Sequence, residues 1–347
     1  MPPFSPSDRV VILGAGATVG ATFAKTATVR PPLNADFFTQ LQRAGPKHQA
    51  IVRAVIADVV DLFGPNFSLT LEDYFSQLES MIDATRLSPT GVAKLTVAEL
   101  RDRRERLMAA LAAVLEAATD EAIRRGDGCK LHRQLVEQLK ARDTVISFNY
   151  DCVMDDALRR AGDGKWAARY GYGFSQPSRV GAVGDAYWSH TNPATKAQDT
   201  IYLLKLHGSI NWQLPAAATG EIVLKQRLHQ QRGTPKFTII PPGWQKRERD
   251  EPIFEDLWKK AERALRNAKK IAVAGFSFTP TDLHVEAVVR LAAARSGPLK
   301  ALVIANPSDS DRRRIRSIFA KQLQQGAVVR QYDDFQAFVR ALPESLG

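Results

Sequence analysis

The sequence predicts an α/β fold, a doubly wound, mainly parallel, Rossmann-like sheet that carries a helical insertion domain. Three observations support that prediction. Short apolar runs of strand length alternate with helix-forming stretches, the pattern of a parallel sheet covered on both faces. The first run is followed at once by a glycine-rich turn, Gly14-Ala15-Gly16-Ala17-Thr18. Two later runs end on polar groups, Asn149-Tyr150-Asp151 and His207-Gly208-Ser209, and strand carboxyl ends are where open α/β sheets hold ligands.

Arg9-Val10-Val11-Ile12-Leu13 is nearly continuous in apolar residues and bounded by glycine, which suits a buried parallel strand. The stretch after Gly20 carries Pro31 and Pro32, so the first helix should be short or irregular. From Asp36 to Lys140 apolar residues recur at helical spacing, as at Leu107, Leu111, Val114, Leu115 and Ala118. The charge run Arg101-Asp102-Arg103-Arg104-Glu105-Arg106 alternates in sign at i and i+4 and reads as a solvated helix face. Strand signals resume at Thr144 to Phe148, Ile201 to Leu206, Phe237 to Ile240, Ile271 to Ala274 and Ala301 to Ala305, with a helix over Ile253 to Asn267. Between Ala161 and Thr200, Trp166, Tyr170, Tyr172, Phe174, Tyr187 and Trp188 mark a long structured loop near the strand ends. The expected division is a Rossmann-like domain of residues 8–35 and 141–347 with a helical insertion at 36–140.

At 347 residues the chain can bury a substantial core. A hydrophobic fraction of 44% with 24% charged residues excludes collagenous and disordered classes. Lys and Arg number 48 against 37 Asp and Glu, a net charge of +11 that favours anionic partners. Nucleotides come first among these, and nucleic acid ranks below them. Cys129 and Cys152 are the only cysteines, too few for a disulfide framework or a four-cysteine zinc module within one chain. The start, Met1-Pro2-Pro3-Phe4-Ser5-Pro6, lacks the pattern of a signal peptide, and no apolar run approaches the length of a membrane span, so a cytoplasmic location is expected and no membrane association.

Gly14 and Gly16 supply a sharp turn and bare backbone that phosphate oxygens can approach; a purely structural turn is the alternative. A dehydrogenase would place an acidic residue at a second strand end about twenty residues on. Asp36 has that spacing but lies in a proline-rich stretch that does not read as a strand end. Asn149 and Asp151 could orient a ribose hydroxyl or a water, or could bond their own turn. His207 can move a proton near neutral pH, the alternative being a satisfied core histidine. His48, His132 and His229 sit in helical or basic surroundings and read as surface residues, while His190 falls in the aromatic stretch. His284, two residues after Asp282, either approaches the site from the next strand or starts a helix. H-E-x-x-H, G-x-S-x-G and P-loop signatures are all absent from the sequence, and no metal ligands are assigned. The three strand-end segments together point to NAD chemistry.

The ordered set Gly14 to Thr18, Ser147 to Asp151, Lys205-Leu206-His207-Gly208-Ser209-Ile210-Asn211-Trp212, Gly275-Phe276-Ser277-Phe278 and Ala305-Asn306 resembles the sirtuin superfamily. The resemblance is closest to its prokaryotic, sirtuin-like NADases of antiphage defence. It implies that Gly14, Ala15, Gly16 and Thr18 line the NAD phosphates, with Ser277 and Asn306 toward the adenosine half and Gly275 in a further cofactor-contacting segment. Asn149 and Asp151 would lie beside the nicotinamide ribose, and His207 would be the catalytic histidine, with Asn149 positioning the water or hydroxyl. The expected function is hydrolysis of NAD to nicotinamide and ADP-ribose, an NAD-depleting (abortive) response to phage. Because unchecked NAD loss would harm the host, gating by homo-oligomeric assembly or by a partner such as a ring ATPase is expected. Protein deacylation, ADP-ribosyl transfer and a catalytically silent nucleotide sensor are the alternatives. The deacylase pattern is broken by the absence of the cysteines for its zinc module.

Overall fold

The computed structural model describes residues 4–44, 48–87, 95–125, 129–175, 187–214, 222–225, 237–243, 251–278, 282–323 and 326–346. Its strands, in chain order, are β1 (Arg9–Leu13), β2 (Thr144–Ser147), β3 (Tyr202–Lys205), β4 (Gly208–Ser209), β5 (Trp212–Gln213), β6 (Val223–Leu224), β7 (Thr238–Ile239), β8 (Lys270–Ala274), β9 (Ala301–Ala305) and β10 (Val328–Tyr332). Six of them form one sheet in the order β10-β9-β8-β1-β2-β3, every pairing parallel. The chain builds outward from β1 to β3, returns beside β1 with β8, and builds outward again to β10. Strand order therefore reverses between β1 and β8, the topological switch point at which doubly wound sheets open a crevice. Leu13 pairs with Ser147 on one side and with Ala274 on the other, so three strand ends lie level there.

The apolar character of β1 follows from this central position. Val10, Val11, Ile12 and Leu13 are each at most 1% exposed, and burial of such side chains contributes about 1.5–3 kcal/mol apiece. The first helix spans only the five residues Ala15–Val19, as the following prolines foretold. The Pro252–Asn267 helix lies against β3, and the Phe335–Leu346 helix against β8, β9 and β10. Pro252 takes a first-turn position, where its missing N–H costs nothing.

Helices fill the stretch between the first two strands: Phe37–Arg43, Gln49–Phe63, Leu71–Leu87, Val97–Arg125 and Lys130–Gln138. Two of them start at reciprocal caps. Thr96 and Glu99 exchange bonds across the start of Val97–Arg125, at 2.7 and 3.2 Å, and Thr70 and Asp73 do the same for Leu71–Leu87, at 3.0 and 3.1 Å. Leu107, Leu111, Val114, Leu115 and Ala118 are all buried, and the apolar core runs without a break from these helices into the sheet.

The structure differs from the sequence-based expectation at four places. Within the charge run, Arg101, Asp102 and Glu105 are exposed, but Arg103 is 9% exposed and reaches Asp61 at 2.6 Å. Arg106 holds Asp58 at 2.7 Å and Arg104 pairs with Glu79, so the run joins three helices where only local pairing was expected. The strand at Thr238–Ile239 does not join the parallel sheet; it pairs antiparallel with β4. The edge strand β10, half-exposed and polar in part, carries too little apolar signal to be read from sequence. His132 is 1% exposed, its ring 4.8 Å from that of Phe335, because its helix turns this face toward the Phe335–Leu346 helix. His48 is half-buried, and the expectation for His229 falls outside the described residues.

Neither ring nitrogen of His132 has a hydrogen-bond partner among the described residues, and burial lowers its pKa to about 3. The folded chain keeps this imidazole neutral at pH values where the unfolded chain protonates it. Stability is therefore unaffected above the unfolded value near 6.5, and is lost progressively as pH falls from there toward 3, by up to about 1.4 kcal/mol per pH unit. Replacing His132 with Phe should flatten that acid slope, as measured by urea unfolding midpoints between pH 6.5 and 4. An equally steep slope in the variant would assign the acid sensitivity to other groups.

Candidate functional site

The turn after β1 is pressed against the turn after β8. Gly14 donates its amide to Ala274 O at 3.0 Å and Gly16 donates to Gly275 O at 2.9 Å. A Cβ on Gly14 would lie 2.4 Å from Gly275 O, and one on Gly275 would lie 2.1 Å from the Ala17 nitrogen. Gly275 also has a φ of +65°, which side-chain-bearing residues rarely adopt. The bareness of Gly14, Gly16 and Gly275 is thus used first for close approach of two backbones at the switch point.

Thr18, Asn149 and Asp151 come together across the ends of β1 and β2. Thr18 Oγ1 donates to Asp151 Oδ2 at 2.9 Å and accepts from Asn149 Nδ2 at 3.1 Å. Asp151 Oδ1 accepts from the Val153 amide at 2.9 Å, so this carboxylate also starts the Val153–Ala161 helix. Burial raises the Asp151 pKa, against the charge of nearby Lys205, which lowers it. Asn149 is 8% exposed, and its Oδ1 has no hydrogen-bond partner among the described residues. A buried amide oxygen left this way is costly unless a ligand or water completes it.

Ala15, Thr18 and Phe148 to Asp151 line a cavity of about 130 Å³. Its other walls are the Pro31 to Asn34 loop, Leu71, Leu111 and Leu115 of the helical region, and Pro242. Pockets that enclose whole cofactors run to roughly 300–1,000 Å³, so this one suits a single ring or ribose.

His207 sits two residues beyond the end of β3 and is 5% exposed. Its carbonyl accepts from the Ile240 amide at 2.9 Å, and Gly208 behind it has a φ of +79° with no room for a Cβ, which would fall 2.2 Å from Thr238 O. The small β4–β7 pairing thereby fixes where the imidazole starts. Around it stand Phe148 at 5.1 Å, Tyr150 at 6.2 Å, Trp258 at 6.4 Å and His284 at 6.0 Å between ring centroids. His284 does approach His207, from the first turn of the Leu283–Ala294 helix. Phe148 stacks on Phe276 at 4.2 Å, which puts an aromatic pair beside the imidazole. Ser277 and Asn306 meet at the ends of β8 and β9: Asn306 Nδ2 donates to Ser277 Oγ at 3.2 Å, while its Oδ1 accepts from the Ser308 amide at 2.9 Å. The sequence-selected residues therefore fall into neighbouring groups along the strand ends, and the cavity gathers Ala15, Thr18, Asn149 and Asp151.

Beneath them lies a residue whose role the sequence reading passed over. Lys205, the last residue of β3, is 1% exposed. Its ammonium donates to Asp151 O at 2.6 Å, Asp155 Oδ2 at 2.9 Å and Ser209 Oγ at 2.5 Å. Burial opposes its charge, but the carboxylates of Asp155 and Asp151 outweigh that and hold its pKa above the ordinary lysine value. Tyr172 completes the set by donating to Asp155 Oδ1 at 2.5 Å, and Asn211 Nδ2 donates to Tyr172 at 3.4 Å. The available signal was a lone lysine inside the otherwise apolar run Ile201 to Leu206. Tyr172 ties the aromatic stretch to this network, and Trp166 and Trp212 pack on it at 5.4 and 5.3 Å.

Residues 143–325 match the model of the SIR2-like domain, more than half of the chain and including β2, β3, His207 and Asn306. No curated protein matches the chain. Among the described residues no helix is long and apolar enough to cross a membrane.

Removing one member of a buried ion pair leaves the other charge uncompensated, at a cost of about 3–5 kcal/mol. Lys205→Met should destabilise the chain by that order in urea unfolding. Adding Asp155→Leu should recover part of the loss, since the stranded carboxylate is then gone. A double variant no more stable than Lys205→Met would show that the pair is not what the lysine supports.

Proposed function

The chain belongs to the SIR2-like domain family, whose members act on NAD, and from that premise we propose that it is an NAD glycohydrolase. The observation that carries the proposal is the buried Asn149 oxygen without a partner among the described residues, in a ring-sized cavity at the ends of β1 and β2. NAD brings a cationic nicotinamide that leaves as a neutral molecule, so the site needs no strong acid. The water oxygen bonds to the ribose carbon, the carbon–nitrogen bond breaks with its electron pair going to nicotinamide, and the water proton passes to His207. Asn149 accepts from the ribose hydroxyl or the water and orients it. The aromatic surroundings of His207 keep bulk water from its imidazole. Gly14 to Thr18 would face the phosphates, with Ser277 and Asn306 toward the adenosine half and Gly275 in a further cofactor-contacting segment. With two cysteines in the whole chain, the four-cysteine zinc module of the deacylases cannot be completed, which supports hydrolysis over transfer to a peptide. In the cell this activity would deplete cytoplasmic NAD in defence against phage, restrained until the chain assembles with its own copies or with a ring-ATPase partner.

The test is nicotinamide release from NAD, followed by chromatography over a range of protein concentrations with and without an acyl-lysine peptide. Release should be independent of peptide and rise more steeply than protein concentration. His207→Ala and Asn149→Ala should each lower it by about 10²–10⁴-fold, with unfolding midpoints near that of the parent. Undiminished release by His207→Ala would remove that residue from the mechanism, and strict dependence on peptide would replace hydrolysis with deacylation.

A further inference from the structure

Beside the cavity, a second set of groups has a chemistry that NAD cleavage does not use. One donor atom from each of His207, Asp282 and His284 lies within 4.8 Å of the other two. Two imidazoles and one carboxylate are the donor set of zinc sites that keep a fourth position open, and of facial sites for other divalent first-row metals. Zinc bonds of about 2.0–2.2 Å place tetrahedral donors about 3.4 Å apart. The cluster therefore needs side-chain movement of the order of an ångström to close on an ion.

Three features of the fold favour that closure. The His207 backbone is fixed by the Ile240 bond at 2.9 Å and by the positive φ of Gly208, +79°, so one ligand starts from a rigid strand end. Asp282 and His284 start together at the head of the Leu283–Ala294 helix. Asp282 occupies the N-cap there, and its side chain accepts from no first-turn amide. His284 also lines a cavity of about 400 Å³ whose walls include Trp258, Glu255 and Glu262, so one of the three side chains borders open space.

We propose that His207, Asp282 and His284 form a site for a divalent transition metal of the zinc type. Because His207 belongs to both sets, an imidazole nitrogen bound to the metal cannot take a proton, and zinc occupancy and NAD cleavage exclude each other. The first statement stands on the cluster alone, whereas the second rests on the reading of His207 as the proton acceptor. Zinc binds by displacing any proton from the two imidazoles, with no change of oxidation state and no co-reactant.

The experiment takes the full chain stripped of metal by a chelator and titrates it with zinc chloride against a chromogenic zinc indicator. The expected result is one zinc bound per chain. Asp282→Asn and His284→Gln should each weaken binding at least about tenfold, with parental circular dichroism and thermal midpoints. Binding that is absent, or unchanged in both folded variants, would overturn the site. In parallel, nicotinamide release by the stripped chain should fall in proportion to zinc bound and return on chelation, and the folded His284→Gln chain should escape that inhibition at the same zinc concentration. Release indifferent to a filled site, or raised by it, would overturn the exclusion while leaving the site standing. A chain that binds zinc as expected but releases no nicotinamide under any condition would retain the site and defeat only the glycohydrolase reading.

Discussion

The Lys205 ammonium is the interaction on which the site depends. It is a full charge almost without solvent, and its three acceptors come from three different pieces of chain: the Asp151 carbonyl after β2, the Asp155 carboxylate on the Val153–Ala161 helix, and the Ser209 hydroxyl on β4. Such a pair gains little net stability over apolar packing, because desolvation consumes most of the Coulomb attraction. Its value is positional. An ammonium offers three donors at a fixed centre, and satisfying all three holds the Asn149 to Asp151 turn and the His207 to Ser209 turn relative to each other. Ser209 closes the arrangement, since its main-chain neighbour Ile210 donates to Tyr150 O at 3.1 Å.

The glycine contact does the equivalent task on the other side of β1. A parallel sheet spaces its strands by their hydrogen bonds, but the turns beyond the last bond are free to diverge. At Gly14, Gly16 and Gly275 they instead touch backbone to backbone, with the Gly16 amide donating to Gly275 O at 2.9 Å. The switch point is therefore held narrow at β1 and β8. It opens toward β2, where Thr18, Asn149 and Asp151 stand and where the helical region supplies Leu111 and Leu115 as the facing wall.

What sequence could reveal followed from how local each cause was. β1, β2, β3, β8 and β9 are buried on both faces and so are written as apolar runs, and the Gly14-Ala15-Gly16 turn announces itself beside one of them. β10 is an edge strand with half-exposed residues, and its period carries no such message. The charge run at Arg101 to Arg106 looked self-satisfied because signs alternate within it, whereas the partners that matter, Asp58, Asp61 and Glu79, are contributed by other helices. His132 misled for the same reason: its helix is polar in composition, and only the packing of the Phe335–Leu346 helix decides that this face is inside. At the site, the strand-end residues were legible one by one. Their grouping was not, because the Thr18 bonds to Asn149 and Asp151 span more than 130 positions of sequence.

That grouping shapes what the site can do. Phe148 is the hinge of it: the residue after it turns a polar amide toward the Thr18 cavity, while its own ring stands edge-on to His207 and flat against Phe276. Asn149 follows Phe148 in the chain while His207 meets the Phe148 ring, so the amide and the imidazole each have their own environment. The amide lies in a small cavity that demands a polar complement, and the imidazole in an apolar surround shared with His284 and Trp258. The division also explains why the His207 side has room for chemistry of its own: Asp282 and His284 reach the imidazole from a different helix without crossing the cavity that holds Asn149.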